Sequence, residues 1–196
     1  MLLHKLLEDK KIILASNSPR RKQFLTELGI SFEVNPTNID ESYPSHLKHS
    51  EITDFIAEIK SSCFNSLKDN EIVITSDTLV WNNEVVLGKP QNKNEAFEII
   101  RGLANKTHEV ISSVCLKSNK KTVIFNAITE VTFSELTDEE IEFYIINFKP
   151  FDKAGAYGIQ EWIGLIGIKE IKGSYTNVVG LPMEKLYHEL IKFLQS

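Results

Sequence analysis

The sequence predicts an α/β fold: a single domain over residues 1–196 with a mixed, twisted central sheet flanked by helices. Three observations predict it. Short apolar runs such as KIILA and EIVIT suit buried strands, amphipathic helical patterns lie between strand patterns, and tight-turn signals such as NN and SNKK join other strands directly. Crossover helices imply parallel neighbours and hairpins imply antiparallel ones, so the sheet is mixed. No long linker and no internal repeat divides the chain.

The elements follow in order. KIILAS is a short apolar run for a buried strand. Ser18 then supplies an N-cap oxygen, Pro19 the first helical position, and Phe24, Leu25 and Leu28 an apolar stripe ending at Gly29. ISFEVNP reads as a strand, and HSEITDFIAEIKSSCFNSL as an amphipathic helix with Ile52, Phe55, Ile56 and Ile59 on one face. EIVITSDTLVWNNEVVLGKP gives two strands joined at NN, and KNEAFEIIRGLAN a helix with Ala96, Phe97 and Ile100 inward. The strands HEVISSVCLK and TVIFNAITEVTFSEL flank the turn SNKK. Thr137 caps DEEIEFYIINF, with Glu140 completing a capping box. The glycine-rich KAGAYGIQEWIGLIGIKEIKGS is expected to be strand, and Pro182 opens the last helix.

Composition narrows the function. The chain is 42% hydrophobic and 25% charged, ordinary for a soluble globular protein, and 22 basic against 27 acidic residues give a net charge of -5. A broad nucleic-acid or anionic-membrane surface is therefore not expected, although a local basic pocket is compatible with this balance. Glu8 and Asp9 interrupt the segment where a signal peptide needs an apolar region, and no stretch approaches the ~18 apolar residues of a membrane span, so the expected location is the cytoplasm. Cys63 and Cys115 form no CxxC and are read as buried, reduced thiols.

Four motifs carry chemistry. SNSPRR, at the strand-to-helix turn, combines free helix N-terminal N–H groups, the hydroxyls of Ser16 or Ser18 and the guanidinium groups of Arg20 and Arg21, an arrangement suited to phosphate. Taken alone, it also fits two surface arginines beside a capped helix. TSDTLV places Asp77 at the end of an apolar run, where an open α/β sheet presents residues to a ligand; a turn aspartate bonding to local backbone is the plainer reading. LGKP holds Lys89 between glycine and proline, without the spacing of a Walker motif, and an ordinary surface turn would look the same. FDKAGAYGIQ sets Asp152, Lys153 and Gln160 around small residues that allow close backbone approach, as twisted strands without a ligand also do.

Together, SNSPRR, NIDES, SDTLV, GKP, DKAGAYGIQ and GSYTNVVGLP resemble the Maf family, the septum-formation-inhibitor-like nucleotide pyrophosphatases, from about Ile12 to the final helix. SPRR with DKAGAYGIQ is similar to the branch acting on dTTP and UTP. The resemblance implies an elongated Maf/ITPase-like α/β fold with a cleft, often homodimeric, and hydrolysis of a nucleoside triphosphate to monophosphate and pyrophosphate with a divalent cation. It also implies Asp77 as general base, with Arg20, Thr78 and Gln160 as specificity residues.

The chemistry of the residues agrees with this. A triphosphate brings close to four negative charges, which Arg20, Arg21, Lys60 and Lys89 could neutralise around a metal. Asp40 or Glu41 of NIDES could join Asp77 in binding Mg²⁺ or Mn²⁺, hard ions that prefer oxygen. The chain departs from the family pattern at Glu58, where a basic residue is frequent, and at Glu161 and Trp162, where a glycine is usual. His46 and His49 share helical spacing but lie in polar surroundings that read as a solvated helix start, and His108 reads as a structural hydrogen bonder. The competing function class is a non-catalytic nucleotide- or protein-binding regulator of cell division. Such a protein has no need for a carboxylate beside phosphate-binding cations.

Overall fold

The computed structural model describes residues 2–196. A short helix α1 (Leu2–Leu6) precedes strand β1 (Lys11–Leu14), helix α2 (Pro19–Glu27), strand β2 (Phe32–Val34) and helix α3 (Ser50–Ser62). Strands β3 (Glu71–Asn82) and β4 (Val85–Leu87), helix α4 (Lys93–Leu103), and strands β5 (Thr107–Lys117) and β6 (Thr122–Phe133) follow. Helix α5 (Asp138–Phe148), a 3₁₀ turn (Ala154–Ala156), helix α6 (Trp162–Gly167), strand β7 (Ile168–Lys172) and helices α7 (Tyr175–Val179) and α8 (Met183–Gln195) complete the chain. The seven strands form one mixed sheet in the order β2-β1-β3-β5-β6-β7, with β4 paired to β3. The fold class is therefore the expected one: α/β, with a mixed sheet and flanking helices.

Two compact units can be distinguished. The first comprises the chain up to Asp77 with Ser112–Ala127 and Gly180–Ser196. In it β1 runs parallel to both β2 and β3, with Ile12 opposite Phe32 and Ile72. Alternate residues of β1 and β3 point to opposite faces. Ile12, Leu14, Ile72 and Ile74 pack with Leu25, Leu186, Leu190 and Phe193 on one side, while Ile13, Ala15 and Val73 meet Phe64 and Leu67 on the other. Burial on both faces explains why these strands read as unbroken apolar runs.

The second unit comprises Thr78–Ile111 and Ile128–Val179. Here β3 and β4 form a hairpin closed by Asn83 and Glu84, both with positive φ (49° and 64°), the two-residue turn whose twist matches that of its strands. β7 runs antiparallel to β6, with an irregularity at Thr132/Phe133. Helix α5 begins with the expected capping box, the Thr137 hydroxyl taking the Glu140 N–H while the Glu140 carboxylate takes the Thr137 N–H at 2.8 Å.

Three expectations are corrected. Of the glycine-rich segment, only Ile168–Lys172 is strand, and the part before it is a 3₁₀ turn, a loop and α6. Gly155 adopts φ +70°, where a Cβ would sit 2.7 Å from Val80 Cγ2, and a Cβ on Gly164 would sit 1.8 Å from the Ile159 carbonyl oxygen. These glycines serve close approach and a turn, not a pleat. Helix α3 stops at Ser62 instead of continuing to Leu67. Cys63 at its end is exposed, whereas Cys115 is buried as expected.

Candidate active site

Sequence places Asp77 near the middle of β3, and burial of the strand's preceding residues leaves its carboxylate only 14% exposed. A carboxylate in that position needs a counter-charge. Lys60, in the last turn of α3 and itself buried, supplies it: Lys60 Nζ donates to Asp77 Oδ1 at 2.8 Å. The same ammonium lies 3.1 Å from Glu41 Oε1, so two carboxylates from separate segments converge on one cation. Asp40, the other acidic candidate of its motif, is turned to local work, its carboxylate oxygens accepting from the Ser42 N–H and hydroxyl at 2.9 Å each. Those bonds hold its pKa below the usual carboxylate value. Glu41, not Asp40, meets the Lys60 ammonium that also holds Asp77.

The arginine pair is divided in role by geometry. Ser18 caps α2 and Pro19 opens it, which turns the chain so that Arg21 reaches back toward β3. Arg21 Nη1 donates to the Ser76 carbonyl at 2.8 Å and Nε to the Gly180 carbonyl at 3.0 Å, with the Ser16 hydroxyl 3.4 Å from Nη1. Ser16 Oγ also accepts the Ser18 N–H at 3.2 Å. Removal from water lowers the Arg21 pKa, while Asp77 pulls it upward; Arg20 adds to the lowering and Glu41 to the raising. Arg21 is thus a charged tie between the β1–α2 turn, the residue before Asp77 and the start of the last helical segment. The Oγ of Ser76, the residue before Asp77, is buried without a hydrogen-bond partner.

Ser16, Arg21, Glu41, Lys60 and Asp77 are therefore brought together, and Arg20 joins them through its charge. The carboxylate pair fits a hard divalent cation. Two oxygen donors already surround a positive charge, and Mg²⁺ or Mn²⁺ typically takes one or two carboxylates and completes its shell with water and substrate phosphates. No cluster of three or more His, Cys, Asp or Glu suited to a metal occurs among the described residues. His46 is exposed and precedes α3, whose N-cap is His49, so the two do not share a helix face.

The remaining predicted residues belong to the second unit. Thr78 is half-buried, and Lys89 and Gln160 are exposed. The Gly155 N–H donates to the Gly88 carbonyl at 3.0 Å, which ties the Lys89 turn to the small-residue segment leading to Gln160. That segment contains a polar network that the sequence pattern does not reveal. Buried Lys153 lies 3.0 Å from Glu161 Oε1 and 2.7 Å from Asp152 Oδ1, while the Tyr144 hydroxyl donates to Glu161 Oε2 and accepts the Gly158 N–H at 2.9 Å. Burial, then the bond to Glu161, raises the Tyr144 pKa above its ordinary value. Tyr144 sits on the apolar face of α5 with Ile141 and Ile145, so its periodicity marks it only as core. Glu161 amid apolar neighbours was the available signal.

His108 is a buried hydrogen bonder, as expected: its Nε2 lies 2.8 Å from the Tyr157 hydroxyl, and its ring stacks on Phe133 at 5.5 Å. No helix among the described residues is long and apolar enough to cross a membrane.

Comparison with known proteins bears on the family of the chain. A family model described as Maf-like protein matches residues 11–193. The chain is 56% identical over 191 residues to a Flavobacterium psychrophilum protein named dTTP/UTP pyrophosphatase, covering 97% of this chain and 98% of that one. Proteins of the same name from Flavobacterium johnsoniae and Christiangramia forsetii are 51% and 53% identical, covering 96% and 100% of this chain and 98% and 100% of theirs. Among solved structures, a HAM1 protein from Coxiella burnetii aligns over 93% of this chain and 99% of its own, at 12% identity and a TM-score of 0.49. With the motif residues in place and the family match running almost end to end, the chain belongs to the Maf family.

Proposed function

We propose that this protein is a nucleoside triphosphate pyrophosphatase that hydrolyses dTTP and UTP to the monophosphate and pyrophosphate. The observation that carries the reading is the ion-paired Asp77 beside Lys60, Arg21 and Glu41, in a chain whose relatives at 51–56% identity bear that name over nearly their whole length. A regulator that only binds nucleotide is not favoured, since binding gives no reason to hold a carboxylate against phosphate-binding cations.

In this reading Lys60 holds Asp77 Oδ1, leaving Oδ2 to take a proton from the attacking water. The water oxygen bonds to the α phosphorus, and the bond from that phosphorus to the α–β bridging oxygen breaks. Pyrophosphate leaves with the bond's electron pair. Arg20 and Lys89 contact phosphate oxygens, Ser16 offers its hydroxyl, and Arg21 fixes the turn and contributes its charge. A divalent cation held by Asp77 and Glu41 would supply further neutralisation of the phosphates. Thr78 and Gln160 contact the base.

The test is release of pyrophosphate and nucleoside monophosphate by the purified protein with Mg²⁺ across UTP, dTTP, CTP, ATP and GTP. Turnover of UTP and dTTP ahead of the others supports the reading. Faster turnover of the purine nucleotides, or none of any, overturns it.

A further inference from the structure

We propose that Tyr144, Glu161 and Lys153 form a clamp that orients the Gln160 amide and thereby makes the site prefer uracil-type bases over cytosine, an inference resting on the reading of Gln160 as the base-contacting residue. An unrestrained amide serves either base by turning over. Uracil and thymine offer an N3–H donor and need the amide oxygen; cytosine offers an N3 acceptor and needs the amide N–H. Preference therefore requires something to hold one end of the amide.

The turn that carries Gln160 is held at both ends by one hydroxyl. Tyr144 accepts the Gly158 N–H at 2.9 Å and donates to the Glu161 carboxylate, and the Glu161 N–H closes the turn on the Gly158 carbonyl at 2.9 Å. Tyr144 is fully buried and stacks on Phe148 with ring centroids 5.3 Å apart, so its hydroxyl is a fixed point. The other Glu161 oxygen is taken by buried Lys153 at 3.0 Å. Both carboxylate oxygens are thus occupied, and the side chain is pinned.

The absent side chain at Gly158 leaves the space in which this matters. A Cβ there would fall 3.0 Å from Gln160 Nε2 and 3.0 Å from Glu161 Oε2, so the amide nitrogen and the carboxylate flank the same small volume. A negative charge in that place favours the amide's NH₂ end toward Glu161 and presents the oxygen outward, the orientation that accepts a proton from N3 of uracil. The three residues act through Gln160 and are positioning residues.

The experiment measures kcat/KM for UTP and CTP in the full chain with Mg²⁺, for wild type, Gln160→Ala, Tyr144→Phe, Glu161→Gln and the Tyr144→Phe/Gln160→Ala pair. Tyr144→Phe and Glu161→Gln should each lower the UTP:CTP ratio by about fivefold or more, through a raised KM for UTP with little change in kcat. The pair should match Gln160→Ala alone, because the clamp has nothing left to orient. A further, additive loss in the pair overturns the clamp. Amide hydrogen exchange at Gly158 separates the two readings. If Gln160→Ala leaves the ratio unchanged while Tyr144→Phe speeds exchange, the reading of Gln160 is wrong and the selectivity role falls with it. If Gln160→Ala flattens the ratio and neither clamp variant does, the clamp alone is wrong. Should Tyr144→Phe fail to fold, Glu161→Gln, which keeps an acceptor for the tyrosine hydroxyl, decides the matter.

Discussion

Lys60 and Asp77, 17 residues apart, meet in an ion pair of 2.8 Å with both side chains at least 86% shielded from water. Asparagine at position 77 keeps an acceptor for the ammonium but loses the capacity to take a proton. Asp77→Asn should therefore still fold, with a melting temperature lowered by the loss of the buried ion pair, and lose about two to four orders of magnitude in kcat for UTP. Turnover within tenfold of wild type, as an order of magnitude, would remove Asp77 from the role of base.

The two arginines should separate in their effects. Arg21 bridges two backbone carbonyls, and a lysine cannot reach both, so Arg21→Lys should cost about 1–3 kcal/mol of stability as well as activity. Arg20→Lys should lower the melting temperature less than Arg21→Lys and raise KM for UTP. Thermal melts beside steady-state kinetics check this; equal melting temperatures for the two variants would refute the division.

Metal dependence should follow the carboxylate pair. Chelation should abolish turnover and Mg²⁺ or Mn²⁺ restore it, while Glu41→Gln should raise the Mg²⁺ concentration needed for half-maximal rate several-fold. An unchanged Mg²⁺ requirement in that variant would place the ion elsewhere.

His108 gives a pH dependence of stability. Burial lowers its pKa from 6.5 to about 4. Between those values the unfolded chain binds the proton and the folded chain does not. Its contribution is fully present above pH 6.5 and is lost as the pH falls toward 4, on the order of 3 kcal/mol in all. Denaturation midpoints of wild type should fall across this window, and those of His108→Gln should fall less steeply. Parallel curves would argue against a neutral buried imidazole.

Two glycines should respond oppositely to alanine. At Gly164 a Cβ would overlap the Ile159 carbonyl oxygen at 1.8 Å, so Gly164→Ala should destabilise by about 3 kcal/mol and disturb the Gln160 turn. Gly102, in α4, has nothing within 4 Å of an added Cβ, and Gly102→Ala should stabilise by about 0.5 kcal/mol. Chemical denaturation of both variants measures the contrast.

Local chemistry determined much of this protein from sequence alone. Ser18 and Pro19 open α2, Thr137 and Glu140 open α5, and the runs before Ala15 and Asp77 are the paired parallel strands β1 and β3, because caps and burial patterns depend on near neighbours. The motif resemblance likewise pointed to the family. Contacts between distant segments decided the rest. That Arg21 is anchored by a carbonyl 159 residues away, that Glu41 instead of Asp40 meets Lys60, and that Tyr144 is more than core depend on which segments the fold brings into register. The glycine-rich segment departs from its strand-like pattern for the same reason. Whether a glycine marks a twisted strand or a turn is settled by what lies where its side chain would be, here Val80 for Gly155 and the Ile159 carbonyl for Gly164, and periodicity carries no record of either.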